Sequence, residues 1–184
     1  MFDMDKLMAL NSKHIQSKSP SELLPTFLFH LEKIGIVPQS EIMETGVNLE
    51  KIIETLQPRS KTMVEMAEAS KFYFKNNIEF DESAAKKFLK PELLEAMKKS
   101  AQYMEVLTTA DFSEKNLEDV FKRVMEESDL KFGKIAQPLR VALTGTTVSP
   151  GIFEMIIALG KETTLKRIYQ AVNYIESNYT ESIN

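Results

Sequence analysis

Apolar residues recur at intervals of three and four along most of the chain, and sustained alternation of apolar and polar residues is not found. This pattern is typical of helices that bury one face. The clearest helix start is Ser19-Pro20-Ser21-Glu22, where a capping serine precedes a first-turn proline and a glutamate follows three residues later. Its inward face is expected to comprise Leu23, Leu24, Phe27, Leu28, Leu31 and Ile34. Gly35 predicts its end.

Similar signals predict the remaining helices. Asn48 is expected to cap a helix that ends near Gln57-Pro58, because the residue before a proline is pushed out of the α region. The next helix is expected to begin at about Ser60. Later starts are expected at Pro91, Ser113, Pro138, Ser149-Pro150 and Lys161, with ends at Gly145 and Gly160. The chain is therefore predicted to be all-α.

The segment 75–81 is polar and separates two helical blocks. It contains Asn76 and Asn77, which favour turns. We therefore predict two consecutive helical subdomains, the first over residues 1–75 with a leading helix and the second over residues 76–184.

Composition narrows the class of protein. The 184 residues are 43% hydrophobic and 27% charged, which is enough for one good core or two small ones. Without cysteine, the chain has neither a disulfide framework nor thiolate metal ligands. No apolar run approaches the roughly 20 residues that span a bilayer, and Met1-Phe2-Asp3 does not resemble a signal peptide. We expect a cytoplasmic protein with no membrane partner.

Candidate catalytic side chains are few. His14 and His30 lie on different predicted helices, without paired carboxylates at metal-ligand spacing. Neither a glycine-rich phosphate loop nor a nucleophile elbow is present. His30, beside Phe27 and Leu31, is interpreted as a helix-face histidine. The sequence therefore predicts no catalytic residue and no metal site.

Residues 130–168 carry most of the candidate binding chemistry. The net charge of the chain is -4, so any affinity for nucleic acid must come from a local basic face. Helices that begin at Pro138 and Pro150 would direct amide donors and positive dipole ends at one anion. Lys131, Lys134 and Arg140 would add charge there. The pattern predicts a phosphate site.

Other side chains of this stretch are suited to single-stranded RNA. Phe132, Pro150 and Ile152 could offer apolar surfaces to unstacked bases, and Gln137 and Arg140 could read base edges. A plainer interpretation is equally open. In it the arginine pairs with a nearby glutamate, the lysines are solvated loop charges, and the phenylalanine and isoleucine belong to the core.

The same residues resemble a known family. Residues 131–145, which read Lys-Phe-Gly-Lys-Ile-Ala-Gln-Pro-Leu-Arg at their start, are similar to the C-terminal end of bacterial-type glutamyl-tRNA synthetases, as are 149–154 and 159–162. Earlier blocks resemble preceding parts of that family: Phe2-Asp3, Lys6-Leu7, Leu10-Asn11 and Ile15, and then Gln57-Pro58-Arg59, Lys61-Thr62 and Phe74. The likeness covers nearly the whole chain.

The resemblance implies an anticodon-binding region of two helical subdomains that holds the anticodon loop of the glutamate tRNA. Members of the family join glutamate to that tRNA with ATP and Mg²⁺. Their two ATP-handling signatures are absent here. We therefore expect part of a longer enzyme that is inactive alone, binds no cofactor or DNA itself, and is a monomer.

The resemblance also implies roles for individual residues. Arg59 matches an arginine that reads the third anticodon base and helps to separate glutamate from glutamine tRNAs. The other contacts with the anticodon loop that the resemblance implies are Lys131, Phe132, Gln137, Arg140, Ser149, Pro150 and Ile152. Lys134, from the basic cluster, is expected to join them.

The alternative is a helical module that binds another protein through an amphipathic groove and has no role with RNA. The acidic balance and the ten methionines favour it, since methionine-rich surfaces adapt to partners. Salt separates the two hypotheses, because RNA binding weakens steeply as salt rises and an apolar groove hardly responds.

Overall fold

The computed structural model describes residues 3–36 and 47–180, and their regular structure is entirely helical. The α-helices of this part are α1 (Met4–Gln16), α2 (Pro20–Lys33), α3 (Leu49–Leu56), α4 (Met63–Ser70), α5 (Glu82–Phe88), α6 (Leu94–Glu105), α7 (Glu114–Ser128), α8 (Phe132–Thr144), α9 (Ile152–Leu159) and α10 (Lys161–Thr180). Short 3₁₀ helices lie at Gln57–Arg59, Lys71–Phe74 and Pro91–Leu93. The all-α prediction is confirmed. None of the described helices is both long and apolar enough to cross a membrane.

The chain divides into two compact units, Met1–Lys75 and Asn76–Asn184. In the first unit, α2 packs against α3 and α4. The predicted capping box begins α2, because the Ser19 N–H donates to the Glu22 carboxylate at 2.8 Å and the Ser19 hydroxyl accepts from the Glu22 N–H at 3.3 Å. The core of this unit includes Ile15, Leu23, Phe27, Leu31, Ile52, Ile53, Leu56 and Met66. Phe2, part of one resembling block, lies outside the described residues.

The helix expected at about Ser60 begins instead at Met63, with Thr62 as its cap. Ser60 is buried and its hydroxyl donates to the Leu56 carbonyl at 2.9 Å, so it closes the end of α3 rather than starting α4. The Thr62 hydroxyl accepts from the Glu65 N–H at 3.1 Å and satisfies the first turn of α4.

In the second unit, the long helix α10 packs against α6 and α8, and α7 packs against α6, α8 and α9. Arg167 of α10 is completely buried. One of its terminal nitrogens, Nη1, donates to the Leu143 carbonyl at 2.7 Å. Leu143 lies in the last turn of α8, where carbonyls have no partner within their own helix. The buried guanidinium therefore caps α8 from a neighbouring helix.

The helix start predicted at Pro138 is wrong. α8 already begins at Phe132, and Pro138 lies inside it. Because proline has no N–H, the Lys134 carbonyl loses its usual donor, at a cost of about 3 kcal/mol or more. Seven buried side chains of α8 offset this cost. The stripe that includes Ile135, Leu139 and Ala142 keeps the helix continuous through the proline.

Candidate nucleic-acid interface

Arg59 lies at an exposed turn in the first unit. It ends the 3₁₀ helix Gln57–Arg59, directly after α3. The turn is anchored from the end of α1, because the Gln57 amide donates to the carbonyls of Ile15 and Lys18, both at 2.7 Å. The Gln16 amide also donates to the Pro58 carbonyl, at 3.3 Å. The backbone at Arg59 is therefore held in place while its side chain extends to the surface.

Basic and aromatic side chains meet at the start of α8 in the second unit. Lys131, Phe132 and Lys134 are all exposed, and Lys131 occupies the cap position without a side-chain capping bond. The positive end of the α8 dipole adds to the lysine charges. The sequence predicted charge at a helix start, but the helix begins at Phe132, six residues before Pro138.

Phe132 belongs to an aromatic cluster and to the surface. Its ring lies 5.5 Å from that of Phe121 and 5.9 Å from that of Phe153, measured between centroids. Phe121 is buried, whereas 40% of Phe132 remains accessible. The core-packing interpretation and the exposed-platform interpretation therefore each describe one side of this ring. A base could stack on the accessible side without disturbing the cluster.

Arg140 holds the loop that precedes α9. Its Nη1 donates to the Ser149 carbonyl at 3.1 Å, to the Pro150 carbonyl at 2.7 Å and to the Ser149 hydroxyl. The Ser149 hydroxyl also donates to the Pro150 carbonyl at 3.0 Å. One guanidinium nitrogen therefore fastens α8 to the Ser149-Pro150 turn, and the half-buried arginine positions that loop.

Pro150 and Ile152 are not surface residues. Pro150 is buried, and only 4% of Ile152 is exposed. The exposed-surface interpretation is therefore wrong for Pro150. For Ile152 the core-packing interpretation holds, because α9 has eight residues and buries five of them, including Ile152. Next to them, Val148 is 84% exposed at the tip of the loop.

The predicted pair of helix N-termini is also not formed. Pro138 contributes no helix end, so only the start of α9 remains of the two, and it lies at Ile152 rather than at Pro150. Gly151 occupies its cap position and supplies no side-chain acceptor. Gln137, half-buried in α8, has a buried amide oxygen without a hydrogen-bond partner among the described residues. Such an atom costs about 1 to 3 kcal/mol.

A second basic feature was not predicted from the sequence. We call it the lysine cavity: a space of about 370 Å³ whose charged lining residues are Lys87, Lys90, Lys134 and Glu92, beside Phe88 and Gly133. The run Lys86-Lys87-Phe88-Leu89-Lys90 is visible in the sequence. Its proximity to Lys134 depends on how α5 packs against α8, which spacing along the chain does not reveal.

Two other cations of the second unit, Lys99 and Arg123, are engaged with one carboxylate. Glu127 of α7 accepts from the Tyr103 hydroxyl at 2.7 Å, lies 2.9 Å from the Lys99 ammonium and accepts from Arg123 at 3.0 Å. These contacts, with Tyr103 the largest cause, lower the pKa of Glu127 from 4.5 to about 2. Lys99 and Arg123 therefore stabilise the surface between α6 and α7.

Within residues 3–36 and 47–180, no group of three His, Asp or Glu side chains could hold a metal ion.

The fold and the site define an all-helical protein that presents basic and aromatic side chains at the start of one helix, α8. Residues 11–172 match the family model described as the anticodon binding domain. The match covers most of the chain, and the chain belongs to this family.

Named relatives agree with the assignment. The glutamate–tRNA ligase of Desulfosudis oleivorans is 43% identical over 178 residues, which are 97% of this chain and 37% of the relative. That of Geobacter sulfurreducens is 40% identical over 96% of this chain and 36% of the relative. A crystal structure of a glutamate tRNA ligase from Elizabethkingia meningosepticum is 26% identical, with a TM-score of 0.80 over 95% of this chain and 33% of that one. The chain thus spans about a third of the length of these relatives.

Proposed function

We propose that this chain is the anticodon-binding region of a glutamate–tRNA ligase and binds the anticodon loop of the glutamate tRNA. The observation that carries the proposal is the match of residues 11–172 to the anticodon binding domain. The specificity for glutamate follows from the names of the relatives, which cover nearly the whole chain. The basic and aromatic start of α8 supports the same conclusion.

In this proposal the start of α8 receives the opened loop. Lys131 and Lys134 hold loop phosphates, where the α8 dipole assists them. An unstacked base rests on the accessible side of Phe132, whose inner side is fixed by Phe121 and Phe153. Affinity comes mainly from backbone charge, and specificity comes from a few hydrogen bonds to base edges.

The Ser149-Pro150 turn offers no surface for base stacking, and its role in this proposal is to shape the protein loop before α9. Since Pro150 and Ile152 are buried, their contribution is to set the path of the loop backbone. Arg140 fixes that path through its bonds to the loop oxygens. Gln137, one turn before Arg140, is half-buried with its amide oxygen enclosed, so only its NH₂ group is assigned to a base edge.

Arg59 supplies discrimination from the first unit. It is exposed on a turn anchored by Gln57, and a guanidinium held in this way can form two parallel hydrogen bonds to a base edge. By analogy with DNA readout, such a contact discriminates against a wrong base by about 1 to 3 kcal/mol. We assign Arg59 to the third anticodon base and to the separation of glutamate from glutamine tRNAs.

The ligation reaction belongs, in this proposal, to parts of the enzyme that this chain does not include. The whole enzyme uses ATP and Mg²⁺ to join glutamate to its tRNA, and this region supplies recognition. We further propose that it works in the cytoplasm as a monomer. The protein-interaction alternative is not favoured, because the family match concerns an anticodon-binding domain.

The proposal is tested by titrating the whole chain with unmodified glutamate tRNA and with the same tRNA carrying another anticodon. We expect tighter binding to the matched anticodon and a steep loss of affinity as salt rises. Equal binding of the two tRNAs would reject the proposal. Binding that is insensitive to salt would favour an apolar protein-binding groove.

A further inference from the structure

The lysine cavity lies between three elements of the second unit. Lys87 and Phe88 come from the last turn of α5, and Glu92 lies in the 3₁₀ helix Pro91–Leu93. Gly133 and Lys134 belong to the first turn of α8. Its volume of about 370 Å³ falls in the range of roughly 300 to 1,000 Å³ that is typical of small-ligand pockets. The space therefore accommodates more than a water molecule or a bare ion.

The charges that line the cavity are unbalanced. Three lysines face a single carboxylate, that of Glu92, among the lining residues. Glu92 lies 3.8 Å from the Lys90 ammonium, and both side chains are well exposed, so this pair is weak. Neither Lys87 nor Lys134 forms an ion pair in the part of the chain that the structure describes. The cavity is therefore electropositive.

Two further features suit an anion that carries an apolar group. Gly133 and Lys134, which line the cavity, belong to the first turn of α8, so the cavity lies near the positive end of a helix of 13 residues. The Phe88 ring lines the cavity, with the Lys87 ammonium 5.3 Å from its centroid. Lysine ammonium groups bind phosphate as point charges. A sugar or base attached to that phosphate can rest on the ring.

We propose that the lysine cavity binds one backbone phosphate of the RNA, with its attached nucleotide, outside the bases that confer specificity. The inference rests on the proposed function and extends it, because Lys87 and Lys90 come from α5 and the segment after it rather than from the anticodon-reading stretch. A phosphate contact carries no sequence information, so the cavity adds affinity equally for every anticodon.

Adjacent lysines provide a matched test in the whole chain. Lys86 and Lys87 are neighbours in α5 and both are exposed, but only Lys87 lines the cavity. Lys87→Gln should weaken binding of the glutamate tRNA by up to about fivefold. It should also reduce the slope of log K against log salt by about 0.7 to 0.9, the loss expected for one phosphate contact. Lys86→Gln should change neither quantity.

A second pair of variants adds charge without removing a lysine. A Cβ placed on Gly133 meets no atom within 4 Å, so a side chain fits there. Gly133→Glu should weaken tRNA binding more than Gly133→Gln, because the two side chains have similar size and only the first repels phosphate. Circular dichroism of both variants checks that the helices are retained.

The outcomes separate the two proposals. A wild-type chain that prefers the glutamate anticodon, with Lys87→Gln and Lys86→Gln equal in affinity and salt slope, would overturn the cavity proposal alone. A wild-type chain without anticodon preference would reject the proposed function, and a specific effect of Lys87 on the salt slope would still support the phosphate site. Inorganic phosphate, added at constant ionic strength, distinguishes the source of the anion. If phosphate lowers tRNA affinity in the wild type and not in Lys87→Gln, it competes with an RNA phosphate for the cavity and supports the proposal. If phosphate binds the wild type but not Lys87→Gln and leaves the tRNA affinity of the wild type unchanged, the cavity holds a free anion and the RNA assignment fails.

Discussion

The Arg140 guanidinium lies 2.7 Å from the Pro150 carbonyl oxygen, and this bond joins the middle of α8 to the loop before α9. The same nitrogen also donates to the carbonyl and hydroxyl of Ser149. A residue that the sequence suggested as a reader of bases is thus also the residue that shapes the loop. Its substitution should affect both stability and recognition.

Arg140→Lys keeps the positive charge and loses the planar guanidinium. We expect a decrease of about 1 to 3 kcal/mol in the free energy of unfolding, because bonds to loop oxygens are lost. Affinity for the matched anticodon should also fall, by up to about 3 kcal/mol. Urea unfolding and tRNA titration measure the two effects. An Arg140→Lys variant with the stability and the tRNA affinity of the wild type would refute the positioning role.

Arg59→Gln should relax discrimination at one anticodon base with little change in stability, because the side chain is exposed and Gln57 anchors the turn. The measurement is tRNA binding with substitutions at each anticodon position in turn. Lys61→Gln removes a positive charge two residues away and serves as the control. An unchanged order of preference among the anticodon variants would contradict the assignment of Arg59 to base reading.

Glu127 should make the free energy of unfolding decrease at acid pH. Its folded-state pKa is lowered from 4.5 to about 2 by the Tyr103 hydroxyl, Lys99 and Arg123. A lowered carboxyl pKa stabilises the folded state above the unfolded value, and this contribution is lost as pH falls from about 4.5 to about 2. Glu127→Gln should therefore be less stable than the wild type at neutral pH and should lose less stability over that interval. Urea midpoints at several pH values measure this, with Glu126→Gln as the control.

Two glycines of the second unit should respond oppositely to alanine. Gly145, just after α8, has a φ of 81°, and an added Cβ would collide with the Glu79 carbonyl oxygen. Gly145→Ala should therefore lower the free energy of unfolding by more than about 1 kcal/mol. Gly133→Ala lies in a helix with open space around it and should raise stability by about 0.5 to 1 kcal/mol. Equal urea midpoints for the two variants would contradict this account.

Local signals predicted most of the helix boundaries, and the failures have identifiable causes. The serine at 19 and the asparagine at 48 cap helices where their side chains can reach the first turn. Ser60 has the same chemistry but is buried at the end of α3. Pro138 carries a start signal, yet packing of the α8 face outweighs it. In both cases tertiary burial decided between local alternatives that the sequence left open.

The sequence predicted which types of residue form the candidate site better than it predicted which of them are exposed. Lys131 and Lys134 lie on the surface as the pattern indicated, because charged side chains rarely enter a core. Ile152 is buried because α9 is short and almost wholly apolar, which its eight residues suggest only after the helix is placed. The lysine cavity needed the packing of α5 against α8, a contact between residues more than 40 positions apart along the chain.

The exposed tip of the Arg140-anchored loop gives a practical route to observing occupancy. Val148 is 84% exposed and immediately precedes the anchored Ser149. The natural chain contains no thiol, so Val148→Cys would provide a unique attachment point for a fluorescent dye. A dye there would lie next to a turn that Arg140 holds in place. A change in its emission would report the binding of RNA, and no residue assigned to binding would be altered.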